Sequence, residues 1–360
     1  QGYKHRTINY VINWNRMIKD DTMIYVKTTE TCNLNCNHCF TSGKNGAKIY
    51  FNPEAVAKWC NELKELRPQM TTHFEYHGGE PFLAPVDDLW KFYELTQEKW
   101  NGSATYGITT NLVLKLTDKR LEFLDEVCNK RIGTSWDPTI RFDNEKQRDL
   151  FESNVKLLLD RGYTIKLFVS LTDDTIQMGP EKLMRYVRDL GVQEMELERI
   201  THDGNATRNP VFPSNIDLQY YFLNMHKFME STGARNWFHN GFMENIYTKF
   251  ETGYTGAGTF CRDCEQKLFT INADGSIAGC PNSAPTSAFG HIIETPQMVI
   301  DSPKRCDVIM EELSRDPRCY ECKVYKYCKG DCHQLAWEGD ICGAPRFLMK
   351  ELDKKYGNIN

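Results

Sequence analysis

Short apolar segments alternate with amphipathic segments along the first two thirds of the chain, and this alternation restricts the choice of fold. Six segments have the length and residue content of strands: 23–29, 73–78, 104–110, 131–136, 164–171 and 194–200. Segments with helical periodicity lie between them: 52–68, 86–100, 118–130, 144–162 and 179–191. This order predicts an α/β fold with a parallel sheet and right-handed crossovers. Periodicity alone does not distinguish a doubly wound sheet from an incomplete barrel.

Three cysteines follow the first predicted strand, at the spacing C-x3-C-x2-C: Cys32, Cys36 and Cys39. In parallel α/β folds active residues collect where the strands end, so we expect the triplet at the catalytic rim of the sheet. Three soft ligands this close can form a zinc site with His38, a disulfide knot, or part of an iron–sulfur cluster. A cluster held by three cysteines leaves one iron open to a substrate or cofactor.

The cellular compartment bears on the choice among these sites. The chain has 14 cysteines, nine of them between Cys261 and Cys342. The segment 1–21 does not resemble a signal peptide, and no apolar run approaches the ~20 residues of a membrane span, so the cytoplasm is the expected compartment. Thiols stay reduced there, which favours metal binding or redox chemistry over a disulfide framework. The net charge of −5 argues weakly against nucleic-acid binding.

A second motif, HGGEPF at residues 77–82, ends the second predicted strand, and its glycines let the main chain approach a ligand closely. The cysteine triplet followed by Phe40, with GGEPF after the next strand, resembles the radical S-adenosylmethionine (radical SAM) family over residues 23–205. The resemblance implies a partial (β/α)6 TIM-like barrel in which Cys32, Cys36 and Cys39 hold a 4Fe–4S cluster. The open iron would chelate S-adenosylmethionine (SAM), and one electron would cleave it to a 5′-deoxyadenosyl radical that abstracts hydrogen from the substrate.

The same resemblance implies which residues contact SAM. Seven are expected to do so: Gly78, Gly79 and Glu80 at the methionine end, Phe40 near the adenine, Thr110 and Asn111 near the nucleoside, and Ser135 at the ribose. Thr110 and Asn111 also suit an ordinary loop, and Asp137, which follows in the segment SWD, also suits a helix cap.

A second cysteine pattern lies in the C-terminal third. It runs C-x13-G-x4-C from Cys261 to Cys280, then C-x2-C-x5-C-x3-C from Cys319 to Cys332, and ends at Cys342. The pattern resembles the SPASM extension of radical SAM enzymes, although 319–332 alone would also suit a zinc ribbon. The resemblance implies two auxiliary 4Fe–4S clusters, one held by Cys261, Cys264, Cys280 and Cys332 and the other by Cys319, Cys322, Cys328 and Cys342.

Three further cysteines, Cys60, Cys128 and Cys306, stand outside this assignment. The pattern does not specify Cys264, so Cys306 could replace it, or one iron could remain open to substrate. Cys60 and Cys128 lie at apolar positions of helical segments and are expected to be small buried side chains.

These patterns divide the chain into five parts. We expect an N-terminal extension at 1–22, the barrel core at 23–205, a helical connection at 206–255, the SPASM domain at 256–345 and a C-terminal tail at 346–360. Within the fourth part, 267–282 predicts a β-hairpin with Ala273, Asp274 and Gly275 in the turn.

The reaction is less sharply predicted. SPASM enzymes mostly crosslink, epimerise or oxidise peptides and proteins, so the resemblance favours such a substrate; a small molecule, sugar or nucleoside is the alternative. Only 31 residues precede Cys32, fewer than a leader-recognition domain needs. Sulfatase-maturing relatives use an aspartate directly after the equivalent of Cys280, where this chain has Pro281, so sulfatase maturation is not expected. A zinc-binding interaction module is the non-enzymatic alternative.

The proposed chemistry needs an acid or base and a source of electrons. Glu198 and Asp137 are the candidate catalytic residues, and an electron donor such as flavodoxin or ferredoxin is the expected partner. Glu196 lies on the same face of its strand as Glu198 because side chains two residues apart point the same way. Both could instead be ion-paired with neighbouring cations, and the sequence does not say which face is inward.

Overall fold

All six predicted strands are present, with bounds that differ from the prediction by at most two residues. The computed structural model describes residues 18–208, 212–253, 262–282 and 287–357. The strands in these residues are β1 (Asp21–Thr29), β2 (Thr71–Gly78), β3 (Ala104–Ile108), β4 (Arg131–Trp136), β5 (Thr164–Ser170), β6 (Glu194–Glu198), β7 (His239–Asn240), β8 (Leu268–Ile271), β9 (Ser276–Ala278) and β10 (Gly290–His291).

Helices separate the strands as predicted. In the described residues they are α1 (Pro53–Leu66), α2 (Val86–Gln97), α3 (Asp118–Glu126), α4 (Glu145–Asp160), α5 (Asp173–Asp189), α6 (Asn205–Arg208), α7 (Asn215–Thr232), α8 (Gly241–Thr252), α9 (Cys264–Lys267), α10 (Pro296–Ile300), α11 (Pro303–Leu313), α12 (Pro317–Tyr320), α13 (Tyr325–Cys328) and α14 (Arg346–Tyr356). None of them is long and apolar enough to span a membrane.

Capping side chains explain where the helices begin. Asn52 accepts a hydrogen bond from the main-chain N–H of Ala55 at 2.9 Å, and Pro53 occupies the first helical position of α1. The predicted start of α5 at Gly179 is wrong, because Thr172 caps the helix earlier through the N–H of Thr175. Gly179, with φ of 77°, interrupts α5. The helical periodicity of the sequence after Gly179 therefore does not extend to the turns before it.

The order of the strands distinguishes between the two predicted architectures. β1, β2 and β3 pair in parallel, as do β4, β5 and β6, and an isolated parallel bridge from Thr109 to Gly133 joins the two sheets. A doubly wound sheet would reverse its strand order at a switch point, whereas here the order is sequential. The chain therefore forms a partial (β/α)6 barrel, as the resemblance implied.

The C-terminal hairpin continues the sheet of the barrel. β8 and β9 are antiparallel around the predicted turn at 273–275, and β8 pairs in parallel with β1, with Tyr25 opposite Thr270. Glu30, just after β1, accepts a hydrogen bond from the N–H of Ala273 in that turn at 3.0 Å and lies 3.5 Å from the ammonium group of buried Lys27. The cysteine-rich region is therefore joined to the barrel through main-chain hydrogen bonds.

The region between the barrel and the hairpin is helical in its described part, and α7 and α8 pack against elements on both sides of it. A buried ion pair adds a second link, since Arg199 at the end of β6 bonds both carboxylate oxygens of Asp331. Cys60 on α1 and Cys128 after α3 are 0% and 1% exposed, in keeping with their predicted place among buried side chains.

Candidate active site

One cavity of about 1090 Å³ runs through the barrel interior. At the C-terminal ends of the strands it is lined by Cys32, Cys36 and Cys39, and at the opposite ends it reaches the turns at Asn101 and Arg131. The strands are parallel, so the loops that follow them share one rim, and this places the three cysteines where the sequence predicted.

Main-chain hydrogen bonds order the cysteine loop, and two N–H donors approach the sulfur of Cys32. The N–H of Leu34 lies 3.3 Å from the Cys32 sulfur, and the side-chain amide of Asn111 lies 3.5 Å from it. Cys32, Cys36 and Cys39 are free thiols. Burial raises the pKa of Cys32 to about 12 and that of Cys36 to about 11.

The hydrogen bonds to sulfur fit an iron–sulfur cluster. Burial alone disfavours the thiolate that such a cluster needs, so bound iron would have to offset it. Among the described residues, no three His, Cys, Asp or Glu side chains converge as ligands of a single metal ion. The cysteines that could hold a cluster are therefore assigned to groups according to the cavity that each one lines.

His38, within the same loop, contacts a buried cation and a buried anion. Its Nε2 lies 3.1 Å from the Arg141 guanidinium and 3.5 Å from the Asp137 carboxylate, and Arg141 Nε lies 3.2 Å from that carboxylate. Burial, together with the charge of Arg141, lowers the pKa of His38 to about 4, so the ring is neutral at pH 7. The Nε2 of His38 therefore faces Arg141 and Asp137, whereas its Nδ1 has no hydrogen-bond partner among the described residues.

Asp137 was predicted as a catalytic residue or a helix cap. Its Oδ1 accepts the N–H groups of Ile140 and Arg141 at 2.9 and 3.1 Å, and the side chain is 0% exposed. Asp137 does not line the cavity but contacts two residues that do, His38 and Arg141. The helix-cap alternative is wrong, because the next helix, α4, begins at Glu145 and is capped by Asn144. Asp137 instead orders the loop that follows β4.

The two glycines of GGEPF let neighbouring loops meet at the rim. A Cβ on Gly78 would lie 2.3 Å from the Thr29 carbonyl oxygen, and one on Gly79 would lie 2.0 Å from that of Thr31. The N–H of Gly79 donates to Thr29 at 3.0 Å, and Gly78 has a φ of 134°. Both glycines line the cavity, so their main chain is open to a ligand.

Glu80 differs from the prediction that it contacts SAM. Its carboxylate accepts hydrogen bonds from the N–H of Phe82 at 3.0 Å, the hydroxyl of Thr110 at 2.8 Å and the N–H of Asn111 at 2.8 Å. The side chain is 0% exposed and does not line the cavity. Burial raises its pKa to about 6. Glu80 thus connects the loop after β2 to the loop after β3.

The remaining predicted SAM contacts are brought together at the rim. Phe40, Thr110, Asn111 and Ser135 all line the cavity beside the cysteine triplet. Phe40 stacks on His77, with ring centroids 5.9 Å apart and an interplanar angle of 25°. Thr110 and Asn111 follow β3, Ser135 lies near the end of β4, and Phe40 lies in the loop after β1.

Glu198 lies at the end of β6 and lines the cavity. The Glu198 side chain is accessible from the cavity, and protein surrounds that cavity on its other sides. Desolvation there, together with the charge of Glu196, raises the pKa of Glu198 to about 7, although Arg199 acts to lower it. No hydrogen bond to its carboxylate is found within the described part of the chain. Glu196, by contrast, is paired with Lys166 at 3.1 Å.

The structure separates the C-terminal cysteines into two groups. Cys264, Cys280 and Cys332 line the same cavity as the triplet, whereas Cys319, Cys322, Cys328 and Cys342 line a second, small pocket. Cys261 lies outside the described residues. Cys306, on α11, lines neither space, so Cys264 rather than Cys306 accompanies the first group.

Polar residues that belong to none of the sequence motifs lie deeper in the barrel. His73 and Glu75 on β2 are bonded at 2.9 Å, and Glu75 also accepts a hydrogen bond from Thr109 at 2.5 Å. Tyr25 on β1 faces the same cavity. The sequence indicates them through polar residues at every second position of β2: His73, Glu75 and His77. Alternate residues of a strand share one face, so this pattern predicts a polar face on β2.

Known proteins resemble this chain in sequence. Residues 26–139 match the radical SAM superfamily. A tungsten-containing aldehyde ferredoxin oxidoreductase cofactor-modifying protein from Pyrococcus furiosus is 22% identical over 271 residues, 71% of this chain and 70% of that protein. An S-adenosylmethionine-dependent nucleotide dehydratase from Fibrobacter sp. is 26% identical over 151 residues, 38% of this chain and 41% of the dehydratase, so the chain matches less than half of that relative.

Two solved structures share the fold over most of the chain. The anSMEcpe structure with bound AdoMet and Cp18Cys peptide has a TM-score of 0.77 at 19% identity and covers 94% of this chain and 100% of its own. Streptococcus suis SuiB bound to precursor peptide SuiA has a TM-score of 0.64 at 14% identity and covers 87% and 72%. These likenesses show a fold shared over most of the chain, and the match to the radical SAM superfamily covers residues 26–139, which include the cysteine triplet at the barrel rim.

Proposed function

We propose that this enzyme uses SAM to abstract a hydrogen atom from a peptide or protein substrate. The substrate radical would then undergo crosslinking, epimerisation or oxidation. One observation carries the proposal. Cys32, Cys36 and Cys39 line the same cavity as Cys264, Cys280 and Cys332. A substrate held in that cavity would lie near both groups of thiols. This arrangement favours a reaction in which hydrogen abstraction and electron removal occur at one site.

The cavity is large enough for two molecules. Ligand sites commonly measure about 300–1,000 Å³, whereas this one measures about 1090 Å³ and continues through the barrel. SAM at the rim would leave the deeper part for a substrate side chain. Peptide substrates are supported by the two structural neighbours, one solved with the Cp18Cys peptide and the other with precursor peptide SuiA.

The chain's own residues have distinct roles in this proposal. Cys32, Cys36 and Cys39 would hold the cluster that, with bound SAM, supplies the 5′-deoxyadenosyl radical. The stacked pair of Phe40 and His77 offers a flat wall beside the triplet. Gly78 and Gly79 present open main chain to the methionine end. These contacts bind and orient SAM without any charged side chain of the GGEPF motif.

Glu198 is the proposed acid–base residue. Its pKa of about 7 leaves the carboxyl able to accept or release a proton near neutral pH, which is the range where general acid–base catalysis is efficient. It is also the candidate catalytic carboxyl that lines the cavity, whereas Asp137 does not. We assign proton transfer at the substrate to Glu198 and a positioning role near His38 and Arg141 to Asp137.

Two auxiliary 4Fe–4S clusters complete the proposal. The first would be held by Cys261, Cys264, Cys280 and Cys332, and the second by the four cysteines of the separate pocket. A flavodoxin- or ferredoxin-type protein would supply electrons. The physical basis is the donor chemistry, since groups of thiols are the usual ligands of such clusters.

A small-molecule substrate is the second candidate. It is favoured by the two sequence relatives, one named as a cofactor-modifying protein and the other as a nucleotide dehydratase. The identities are low and the dehydratase match is partial, so the peptide proposal takes precedence on the basis of the fold shared along most of the chain.

The test begins with anaerobically purified and reconstituted protein. We expect about twelve irons per chain, four for each cluster, and formation of 5′-deoxyadenosine when dithionite and SAM are added. Changing Cys32, Cys36 and Cys39 to Ala removes about four irons and all SAM cleavage. Changing the four cysteines of the separate pocket removes about four irons but keeps SAM cleavage. Zinc in place of iron would overturn the proposal.

Substrate class is tested in parallel. The protein is incubated with SAM and dithionite, separately with peptides encoded beside its gene and with nucleoside triphosphates. Mass spectrometry then finds the species that has lost hydrogen or changed composition. A modified peptide supports the first candidate, and a modified nucleotide with unchanged peptides supports the second.

A further inference from the structure

Each described cysteine of the first auxiliary group gives its own amide N–H to a carboxylate. The N–H of Cys264 donates to Glu312 at 2.9 Å, and that of Cys332 donates to Asp331 at 2.8 Å. The N–H of Cys280 donates to the Glu265 carboxylate at 3.2 Å. Glu265 and Glu312 are each 1% exposed and Asp331 is 2% exposed. We call Glu265, Glu312 and Asp331 the carboxylate collar.

The other cysteine groups differ in this respect. Cys32 and Cys39 donate their amides to the carbonyl oxygens of Gly43 and Cys36. In the second auxiliary group, three cysteine amides also donate to main-chain carbonyl oxygens: Cys319 to Asp316, Cys322 to Cys319, and Cys328 to Val324. Bonding of cysteine amides to carboxylates is therefore a local property of the first group and does not follow from cysteine loops in general.

Hydrogen bonds and net charge set the reduction potential of an iron–sulfur cluster. An amide N–H directed at a carboxylate is withdrawn from sulfur, where it would stabilise added negative charge. The carboxylates also place negative charge beside the site, and in the protein interior such charge acts more strongly than in water. Both effects make reduction less favourable.

Cations lie close to the collar. Arg199 pairs with Asp331 and balances its charge. Arg305 donates to the main-chain oxygen of Glu265 at 3.4 Å, and Arg262 bonds the main-chain oxygen of Glu312. Asp331 is balanced by a direct ion pair, and Glu265 lies 3.7 Å from the His333 ring. Glu312 has no ion pair among the described residues, and substitutions at Glu265 and Glu312 leave the arginines in place.

We propose that the carboxylate collar lowers the reduction potential of the first auxiliary cluster, an inference that rests on the proposed function because it requires that cluster. Glu265 and Glu312 act as positioning residues, through the cysteine amides and through charge. A lower potential favours movement of one electron from the reduced first cluster to the oxidised second cluster, which leaves the first oxidised and the second reduced. The electron then moves from the cluster beside the cavity to the cluster in the separate pocket.

The test measures midpoint potentials by redox titration followed by electron paramagnetic resonance. The full chain carries Ala at Cys32, Cys36 and Cys39, so that only the auxiliary clusters contribute, and it is reconstituted anaerobically. Glu312→Gln keeps the size of the side chain and one acceptor. We expect one of the two midpoints to become more positive, with the reduced-to-oxidised ratio at a given potential rising about tenfold, or ~59 mV for a one-electron couple.

Glu265→Gln is the second variant and is expected to move the same midpoint in the same direction. Glu311→Gln is the matched control, because Glu311 is the exposed neighbour of Glu312 on α11 and makes the same change in charge. The other midpoint serves as an internal reference in every sample.

The outcomes separate this inference from the function on which it rests. If both Gln variants keep their iron and their midpoints match those of Glu311→Gln, the inference is overturned. Loss of iron from both variants also overturns it, because the collar would then act only in assembly. If the parent protein holds no cluster at the auxiliary cysteines, the proposed function itself fails before any variant is compared.

Discussion

Glu198 shows how a single side chain acquires a chemical role from its surroundings. Its carboxyl group faces a cavity that protein encloses, and burial raises its pKa to about 7. Glu196, two residues earlier on the same strand, is paired with Lys166. The same residue type therefore faces the cavity in one place, as the proposed acid–base role requires, and is an ion-pair partner in the other.

We predict that Glu198→Gln keeps SAM cleavage but lowers product formation by about 10²–10⁴-fold, the usual contribution of a general acid or base. In the native enzyme the ionised fraction of Glu198 grows as pH rises through about 7, so a step that uses the carboxylate as base should accelerate over that range. The measurement is the pH profile of product formation and of 5′-deoxyadenosine, once a substrate is identified.

Glu196→Gln provides the control for this prediction. It keeps Glu198 but removes a charge that raises the pKa of Glu198, so the pH profile should shift to lower pH while product formation persists. A Glu198→Gln enzyme with the native profile would show that the base lies elsewhere.

Glu80 has a structural role that its motif does not reveal. We predict that Glu80→Ala lowers the free energy of unfolding by about 2–5 kcal/mol, because it leaves buried donors on Phe82, Thr110 and Asn111 without their acceptor. Urea denaturation at pH 8 measures the change. Glu62→Ala, at an exposed position of α1, should change it by less than about 1 kcal/mol.

Pairing of β8 with β1 is the element-level feature that joins the two cysteine regions. Four residue pairs connect the strands, from Met23 opposite Leu268 to Val26 opposite Ile271. The pairing brings the hairpin that precedes Cys280 alongside the strand that precedes Cys32. The distance between the two candidate cluster sites is therefore set by a continuous sheet.

Glu30 stabilises this junction, and we predict that Glu30→Ala lowers the free energy of unfolding by about 1–3 kcal/mol. The change removes the acceptor of the Ala273 N–H and the carboxylate beside the Lys27 ammonium, which is 0% exposed. Partial exposure of Glu30, 18%, keeps the expected loss below that of a fully buried pair.

Thermal or urea unfolding measures the effect of Glu30→Ala, and Glu181→Ala is its control. Glu181 lies in an exposed pair with Arg185, so its loss should cost less than about 0.5 kcal/mol. Equal losses in the two variants would contradict a role for Glu30 at the junction.

The whole molecule is expected to unfold as a unit that includes the cysteine-rich region. A chain cut after Gly253 loses β8 beside β1 and the Asp331 partner of Arg199. We predict that this truncated chain gives no cooperative thermal transition, because a buried guanidinium without its partner and an unpaired strand edge both disfavour folding.

Circular dichroism during heating tests the truncation against the full chain. A cooperative transition at the temperature of the full protein would show that the barrel folds independently of the cysteine-rich region.

Local patterns predicted a large part of this molecule. The six strands follow from apolar content and from turns a few residues away, and Asn52 and Pro53 mark a helix start through bonds within one turn. The cysteine triplet and the glycines of GGEPF were placed correctly at the rim because strand ends meet there in any parallel α/β sheet. These features depend on neighbours in sequence, so the sequence alone was sufficient for them.

Other features depended on residues far apart along the chain. Pairing of Tyr25 with Thr270, the bonds from Glu80 to the loop after β3, and the cavity-facing position of Glu198 all join distant segments. The sequence by itself determined the strands, the helices and the rim loops, since hydrogen bonds and periodicity act over a few residues. Only the tertiary structure decided which carboxyl groups face the cavity, because that depends on sheet curvature and long-range packing, for which no local pattern exists.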